Sequence, residues 1–92
     1  MEDDYWQVRV KAARSLGKLK AKASVQVLSL ASTHEMSNLR KESVIALGEL
    51  GDVRAIPALE RALKDSDPDV RKLAKLALTS IQMVATSAEA TP

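Results

Sequence analysis

Thirty-one residues separate the copies of one pattern in this chain, and that period constrains the fold more than any other feature. The central copy holds Leu39-Arg40, Leu47-Gly48, Leu50 and Ile56/Leu59, and 31 residues earlier stand Val8-Arg9, Leu16-Gly17, Leu19 and Val25/Leu28. Moving 31 residues the other way gives Val70-Arg71, Ala74, Ala77, Leu78 and Ile81. A unit this short cannot enclose a core alone, so it buries its apolar face against the copies beside it. The period implies an all-α fold, a short α-solenoid of about two and a half stacked helical hairpins.

Local signals place the helices. Val8, Ala12, Leu16 and Leu19 recur at helical spacing and predict a first helix over residues 4–20, with these four on its core face and Asp3 or Asp4 as cap. A second helix is predicted over residues 23–31, carrying Val25, Val27, Leu28 and Leu30. Its alternation also fits a strand, but the copy 31 residues on is plainly helical. The third helix, residues 37–50, is stopped by Gly51, which tolerates a left-handed backbone; Asp52 caps a fourth over residues 54–64. Pro57 is acceptable near that helix's start, where its missing N–H has no partner to lose. Asp67-Pro68 opens a fifth over residues 68–84.

In the third copy Leu78-Thr79 and Gln82-Met83 replace Leu47-Gly48 and Gly51-Asp52, so the turn is lost and the array ends. The repeat domain accordingly covers residues 1–84: repeat 1 over about 4–33, repeat 2 over about 34–64, and a terminal half repeat over 65–84. The small polar residues of 85–92 predict a disordered tail.

Composition narrows the chemistry. Cysteine is absent, which removes disulfides, thiolate metal sites and Cys nucleophiles. Phenylalanine is absent and the aromatics are Tyr5 and Trp6 alone, leaving little to stack on bases or sugars. No run of 18 apolar residues occurs and the first residues are acidic, so a cytoplasmic protein with no membrane contact is expected. Residues 1–33 carry six basic and three acidic side chains, against five of each in residues 34–64, so the first repeat is the basic one.

Taken together, the Val-Arg, Leu-Gly, Gly-Asp and Ala-Ile-Pro-Ala-Leu elements resemble HEAT-like repeats of the phycobilisome lyase (PBS lyase) type. Arg40 to Leu59 and Asp52 to Arg71 match closely; the first copy departs from the pattern with Lys20-Ala21 for Gly51-Asp52 and Gln26 for Pro57. The resemblance implies stacked helical hairpins that serve mostly as interaction surfaces. A bilin lyase-like subunit stays in view only as a larger protein of which this chain is a terminal fragment. Deoxyhypusine hydroxylase also looks similar over Arg40 to Glu49. In that family His-Glu pairs on such helices supply a di-iron site, but here Lys41 stands at the His position, and Val10-Lys11 and Lys72-Leu73 are the equivalent pairs. A lysine ammonium cannot act as an imidazole ligand. His34-Glu35 lies in a link with no second histidine in the chain. On these grounds the sequence predicts no catalytic residue, no metal, no cofactor and no enzyme.

Two sets of residues remain as candidates. Lys11, Arg14 and Lys18 lie along one face of the first helix, with Lys20 and Lys22 at its end, and offer a site for an acidic protein or a nucleic acid. The strip does not continue into repeat 2, where its counterparts are Glu42, Ile45 and Glu49, whereas a phosphate-tracking groove would continue. Arg9, Arg40 and Arg71 recur at one repeat position, and with Asp52, Asp67 and Asp69 they predict a ladder of inter-repeat hydrogen bonds. Trp6 is expected to cover the open N-terminal end, and Gly17 and Gly48 to admit a close neighbouring helix.

The function expected from sequence is a non-catalytic scaffold that binds a protein partner, with Lys41, Arg54 and Arg61 as further contact residues. Nucleic-acid binding is the alternative. The fifth helix lacks a following partner, so part of its apolar stripe is left without a cover and three alternatives stand. The chain forms a homodimer through an open end, with the outward Leu76 at the contact, or it is the terminal piece of a longer array, or the fifth helix caps the second repeat.

Overall fold

The computed structural model describes residues 2–17 and 19–90, with side chains described for residues 4–17 and 19–83. The chain runs through helices α1 (Glu2–Leu16), α2 (Ala21–Ala31), α3 (Ser37–Leu50), a single 3-10 turn (Val53–Ala55), α4 (Ile56–Ala62) and α5 (Pro68–Ala90). Among the described residues every regular element is helical. Helices α1, α3 and α5 form one layer and α2 and α4 the other; helices consecutive along the chain meet, and α3 meets both α1 and α5 one repeat away, whereas α2 reaches the second repeat through α3 and the 3-10 turn.

Turn chemistry sets the boundaries. Gly51 has φ +69° and closes α3, its amide donating to the Leu47 carbonyl. Asp52 follows in an extended conformation and accepts the Arg54 amide at 2.9 Å, starting the 3-10 turn that leads into α4. Asp67 accepts the Asp69 amide at 2.8 Å and starts α5 behind Pro68. Helix α1 begins at Glu2 and ends at Leu16, earlier at both ends than the spacing predicts. Helix α5 continues to Ala90, into the stretch expected to be a tail, while residues 91 and 92 lie outside the described residues.

The core is aliphatic, with Leu28, Leu39, Val44, Leu47, Leu59, Val70 and Ile81 almost fully buried. One expectation is corrected here. Val8, Leu16 and Leu19 are 66%, 46% and 84% exposed, although their counterparts Leu39 and Leu47 are 1% and 0% exposed. The buried face of α1 is instead Val10 and Ala13, followed by Gly17 beyond the helix end. An internal helix such as α3 is covered on two sides, by the repeat before and the repeat after. Helix α1 has a described neighbour only on the second, so the stripe equivalent to Leu39 and Leu47 is left outside.

At the other end, of the alternatives left open, α5 lies as a cap on the second repeat. The apolar stripe of α5 is covered: Val70, Ala74, Ala77, Leu78 and Ile81 are all buried and Leu73 is half-buried. Its outward positions include Lys72, Lys75 and Thr79, where α3 has Lys41, Val44 and Gly48, together with the exposed Leu76 and Met83. The outward face of α5 thus mixes polar groups with Leu76 and Met83, whereas that of α1 carries Val8 and Leu16.

Two glycines set the spacing of the first layer. A Cβ at Gly48 would lie 2.9 Å from the Ala77 Cβ, and one at Gly17 would lie 2.9 Å from Leu50 Cδ1. Trp6 is half-buried against the core and meets His34 edge-on at 6.0 Å, with the Arg9 guanidinium 4.7 Å from its ring centre. It therefore covers the link between α2 and α3, not the open end expected for it.

The Arg/Asp ladder forms with different partners. Arg40 makes a paired hydrogen bond to Asp65, with Nε to Oδ2 at 2.8 Å and Nη2 to Oδ1 at 3.1 Å, and its Nη1 donates to the His34 and Glu35 carbonyls. Asp65 also accepts the Asp67 amide. Arg71 donates to the Asp65 and Ser66 carbonyls, while Arg9 stacks on Tyr5 and Trp6. Asp67 and Asp69 instead face Lys41, at 3.6 and 3.4 Å, and Asp52 binds Arg54 beside it. The missed residue is Asp65. It stands 25 residues beyond Arg40, a separation that the 31-residue period does not mark.

Burial works to raise the Asp65 carboxyl's pKa, but the hydrogen bonds from Arg40 and the Asp67 amide outweigh it and hold the group below the ordinary aspartate value. A pKa depressed on folding stabilises the native state above the unfolded value, about 3.9, and that stabilisation is lost as pH falls through the folded value. Asp65→Asn is expected to cost about 2–3 kcal/mol at neutral pH in urea unfolding, and this difference from the parent should shrink on acidification below about pH 4. Gly48→Val should lower stability by about 1–3 kcal/mol in the same measurement, because the α3–α5 spacing cannot hold the added carbons.

Candidate partner-binding groove

The second layer does not close as the first does. Between α2 and α4 lies a groove of about 810 Å³, lined by Lys22, Val25, Gln26, Ser29, Leu30 and Thr33 from the α2 side and by Arg54 and Arg61 from the other. The α2 residues recur at three- and four-residue steps, which sets them along one helix face. The 3-10 turn and the short α4 carry Arg54 and Arg61 to the opposite wall. Val25 is buried at the base, whereas Leu30 is 59% exposed and offers apolar surface to an incoming chain.

The charged residues that line the groove are all basic. A further space of about 520 Å³ continues it past Lys20, Lys22 and Leu19, and none of the residues lining either part is acidic. Arg54 is held by Asp52, with Nε to Oδ1 at 2.9 Å and Nη2 to Oδ2 at 2.6 Å. The Arg54 side chain and then its amide draw the Asp52 carboxyl below its ordinary range, and the Asp52 hydrogen bond raises the guanidinium. Lys22 and Arg61 make no ion pair among the described residues, so their charge faces the groove uncompensated.

The residues singled out from sequence are scattered. Arg54 and Arg61 meet in the groove. Lys11 is exposed on α1, but Arg14 is bound to Glu49 of α3 through two hydrogen bonds of 2.7 and 2.9 Å, a pairing that raises its pKa further. Lys18 lies outside the described residues. Lys41 sits between Asp67 and Asp69, and Leu76 is exposed on α5, at the other end of the molecule's helix order. The basic strip of the first helix is therefore interrupted by an internal salt bridge. Sequence reasoning placed Lys20 and Lys22 at the end of that strip, whereas they line the groove; the three- and four-residue spacing of Lys22, Gln26, Ser29 and Thr33 was the available signal.

The family of metal enzymes that resembles Arg40 to Glu49 would need a His-carboxylate donor set. Among the described residues no three His, Cys, Asp or Glu side chains gather as metal ligands. The position of the expected histidine is Lys41, whose ammonium is bound to carboxylates, and His34 Nδ1 accepts the Met36 amide at 3.0 Å. The residues present do not fit a di-iron centre.

Comparison with known proteins extends this picture. The family model for HEAT repeats matches residues 1–79. A deoxyhypusine hydroxylase from Arabidopsis thaliana is 41% identical over 75 residues, covering 79% of this chain and 24% of that protein. The chain thus spans about a quarter of that relative's length. The expectation that this protein is no enzyme is overturned by this match, since the relative's name is that of an enzyme. No described helix is long and apolar enough to cross a membrane. The period, the paired layers and the match over residues 1–79 together make this chain a member of the HEAT-repeat family.

Proposed function

We propose that this chain is a repeat scaffold that holds an acidic segment of a protein partner in the groove between α2 and α4. The observation that carries the reading is a groove with exposed Leu30 between Lys22 and Arg61, two cations with no ion pair among the described residues, and with no acidic residue in its lining. Apolar area supplies contact and the rim charges steer the partner and select its sign. A nucleic acid is less suited, because the cations are separated by apolar surface and the α1 strip is broken at Arg14. Within the HEAT-repeat family, Gly51-Asp52 and Ala55-Ile56-Pro57-Ala58-Leu59 support the PBS lyase subtype.

The relative supports a second reading, in which the chain serves in a hydroxylation of the kind its name states. The described side chains bring no metal-ligand set to such a reaction, so its reactive groups would come from elsewhere. In this reading the groove holds what that hydroxylation acts on.

A peptide array graded by charge tests the groove. Acidic peptides carrying Leu or Ile should bind, and Lys22→Glu with Arg61→Glu should weaken them at least about tenfold while helicity is unchanged. Equal binding of acidic and basic peptides, or no loss in the double variant, would remove this reading.

A further inference from the structure

Two helices of the first layer begin in the same way. In α3 and α5 a buried apolar residue, Leu39 or Val70, is followed by an Arg-Lys pair, Arg40-Lys41 or Arg71-Lys72. The Arg40 and Arg71 amides both donate to the carbonyl of the residue before the helix, Met36 and Asp67, at 3.2 Å. Each guanidinium then reaches back through Nη1 to the link before its own helix. Arg40 donates to the His34 and Glu35 carbonyls at 3.0 and 2.9 Å, and Arg71 to the Asp65 and Ser66 carbonyls at 2.7 and 3.3 Å. These carbonyls correspond pairwise across the 31-residue period, so the two side chains are anchored alike.

What lies beyond the two pairs differs. Arg40 Nε and Nη2 hold the Asp65 carboxylate, and Lys41 stands 3.6 and 3.4 Å from Asp67 and Asp69. One Arg-Lys pair thus receives all three carboxylates of the turn Asp65-Ser66-Asp67-Pro68-Asp69. In repeat 1 both halves of that contact are missing together. Val10 follows Arg9, the link carries His34, Met36 and Asn38 at the three Asp positions, and Arg9 stacks on aromatic rings instead. Arg71 and Lys72 are exposed, and among the described residues no carboxylate bonds to Arg71 Nε or Nη2 or to the Lys72 ammonium.

We infer that Arg71 and Lys72 form a receptor for an acidic turn of the form Asp-x-Asp-x-Asp on another protein, held as Arg40 and Lys41 hold Asp65, Asp67 and Asp69. The first carboxylate takes the Arg71 fork through two parallel hydrogen bonds, and the other two flank Lys72. The Nη1 bonds fix the guanidinium before the partner arrives, so less side-chain freedom is lost on binding. Leu76, exposed one helical turn beyond Lys72, offers apolar contact beside the turn. A further helix packed as closely as α5 on α3 does not fit here. Thr79 stands at the position of Gly48, where a Cβ would lie 2.9 Å from the Ala77 Cβ. The partner is therefore gripped by its turn. This site shares no residue with the lining of the groove between α2 and α4 and does not rest on that reading.

A synthetic peptide copying residues 63–70, Leu-Lys-Asp-Ser-Asp-Pro-Asp-Val, titrated into the full chain at low salt, tests the receptor. The Arg71 Nε–H signal in NMR spectra should shift on binding, and the same peptide with Asn for all three Asp should not bind. Lys72→Glu, at an exposed position, should weaken binding at least about tenfold with helicity unchanged. Arg71→Lys keeps the charge but not the fork and should weaken it as well. Lys22→Glu with Arg61→Glu should leave it unchanged, which separates this site from the groove. An Arg71 signal that does not move, equal binding of the Asn peptide, or full binding by the Lys72→Glu chain would overturn the proposal.

Discussion

The approach of Gly48 to Ala77 governs the geometry of the whole stack. With no side chain between them, α3 and α5 come together closely and share the largest contact in the molecule. Gly17 does the same for Leu50 one repeat earlier. The interior of α3 is a costly place for Gly48, so its close approach to α5 has to offset that cost. Nothing similar draws α2 and α4 together. One layer is tight and the other open, and the groove follows from that difference.

Register along the stack depends on charge, but the ion pairs are not equivalent. Arg40 and Asp65 are 13% and 10% exposed and fully hydrogen-bonded, which makes their pairing both costly to break and specific in direction. Arg14 and Glu49 have comparable geometry at 49% and 53% exposure, where solvent screens most of the attraction. The Arg14 pair therefore matters less for stability than for what it removes, since a cation engaged with Glu49 is not offered to a partner.

The helices and their order could be read from the chain because they rest on local signals: the Gly51-Asp52 turn, the Asp67-Pro68 start and the 31-residue echo. The face of α1 could not. A repeat pattern reports which side chains would be buried inside an array, and Val8 and Leu16 obey it although no described repeat lies on their side. Asp65 escaped notice because its partner lies in another element and at a separation that the repeat does not mark. The groove was half legible. Arg54 and Arg61 belong to the predicted fourth helix, and the spacing of Lys22, Gln26, Ser29 and Thr33 marks one face of α2, but that this face and the fourth helix stand apart depends on packing that a linear pattern does not encode.

The position of Trp6 has a spectroscopic consequence. It is the chain's one tryptophan, and it rests on His34 in the link that joins the first hairpin to the second. Its emission is therefore set by a junction and not by either hairpin alone. Loosening of α1 from that link would change the indole's surroundings while the rest of the helices remained formed. The protein thus carries an intrinsic optical marker for undocking of its first repeat, separable from global loss of helix.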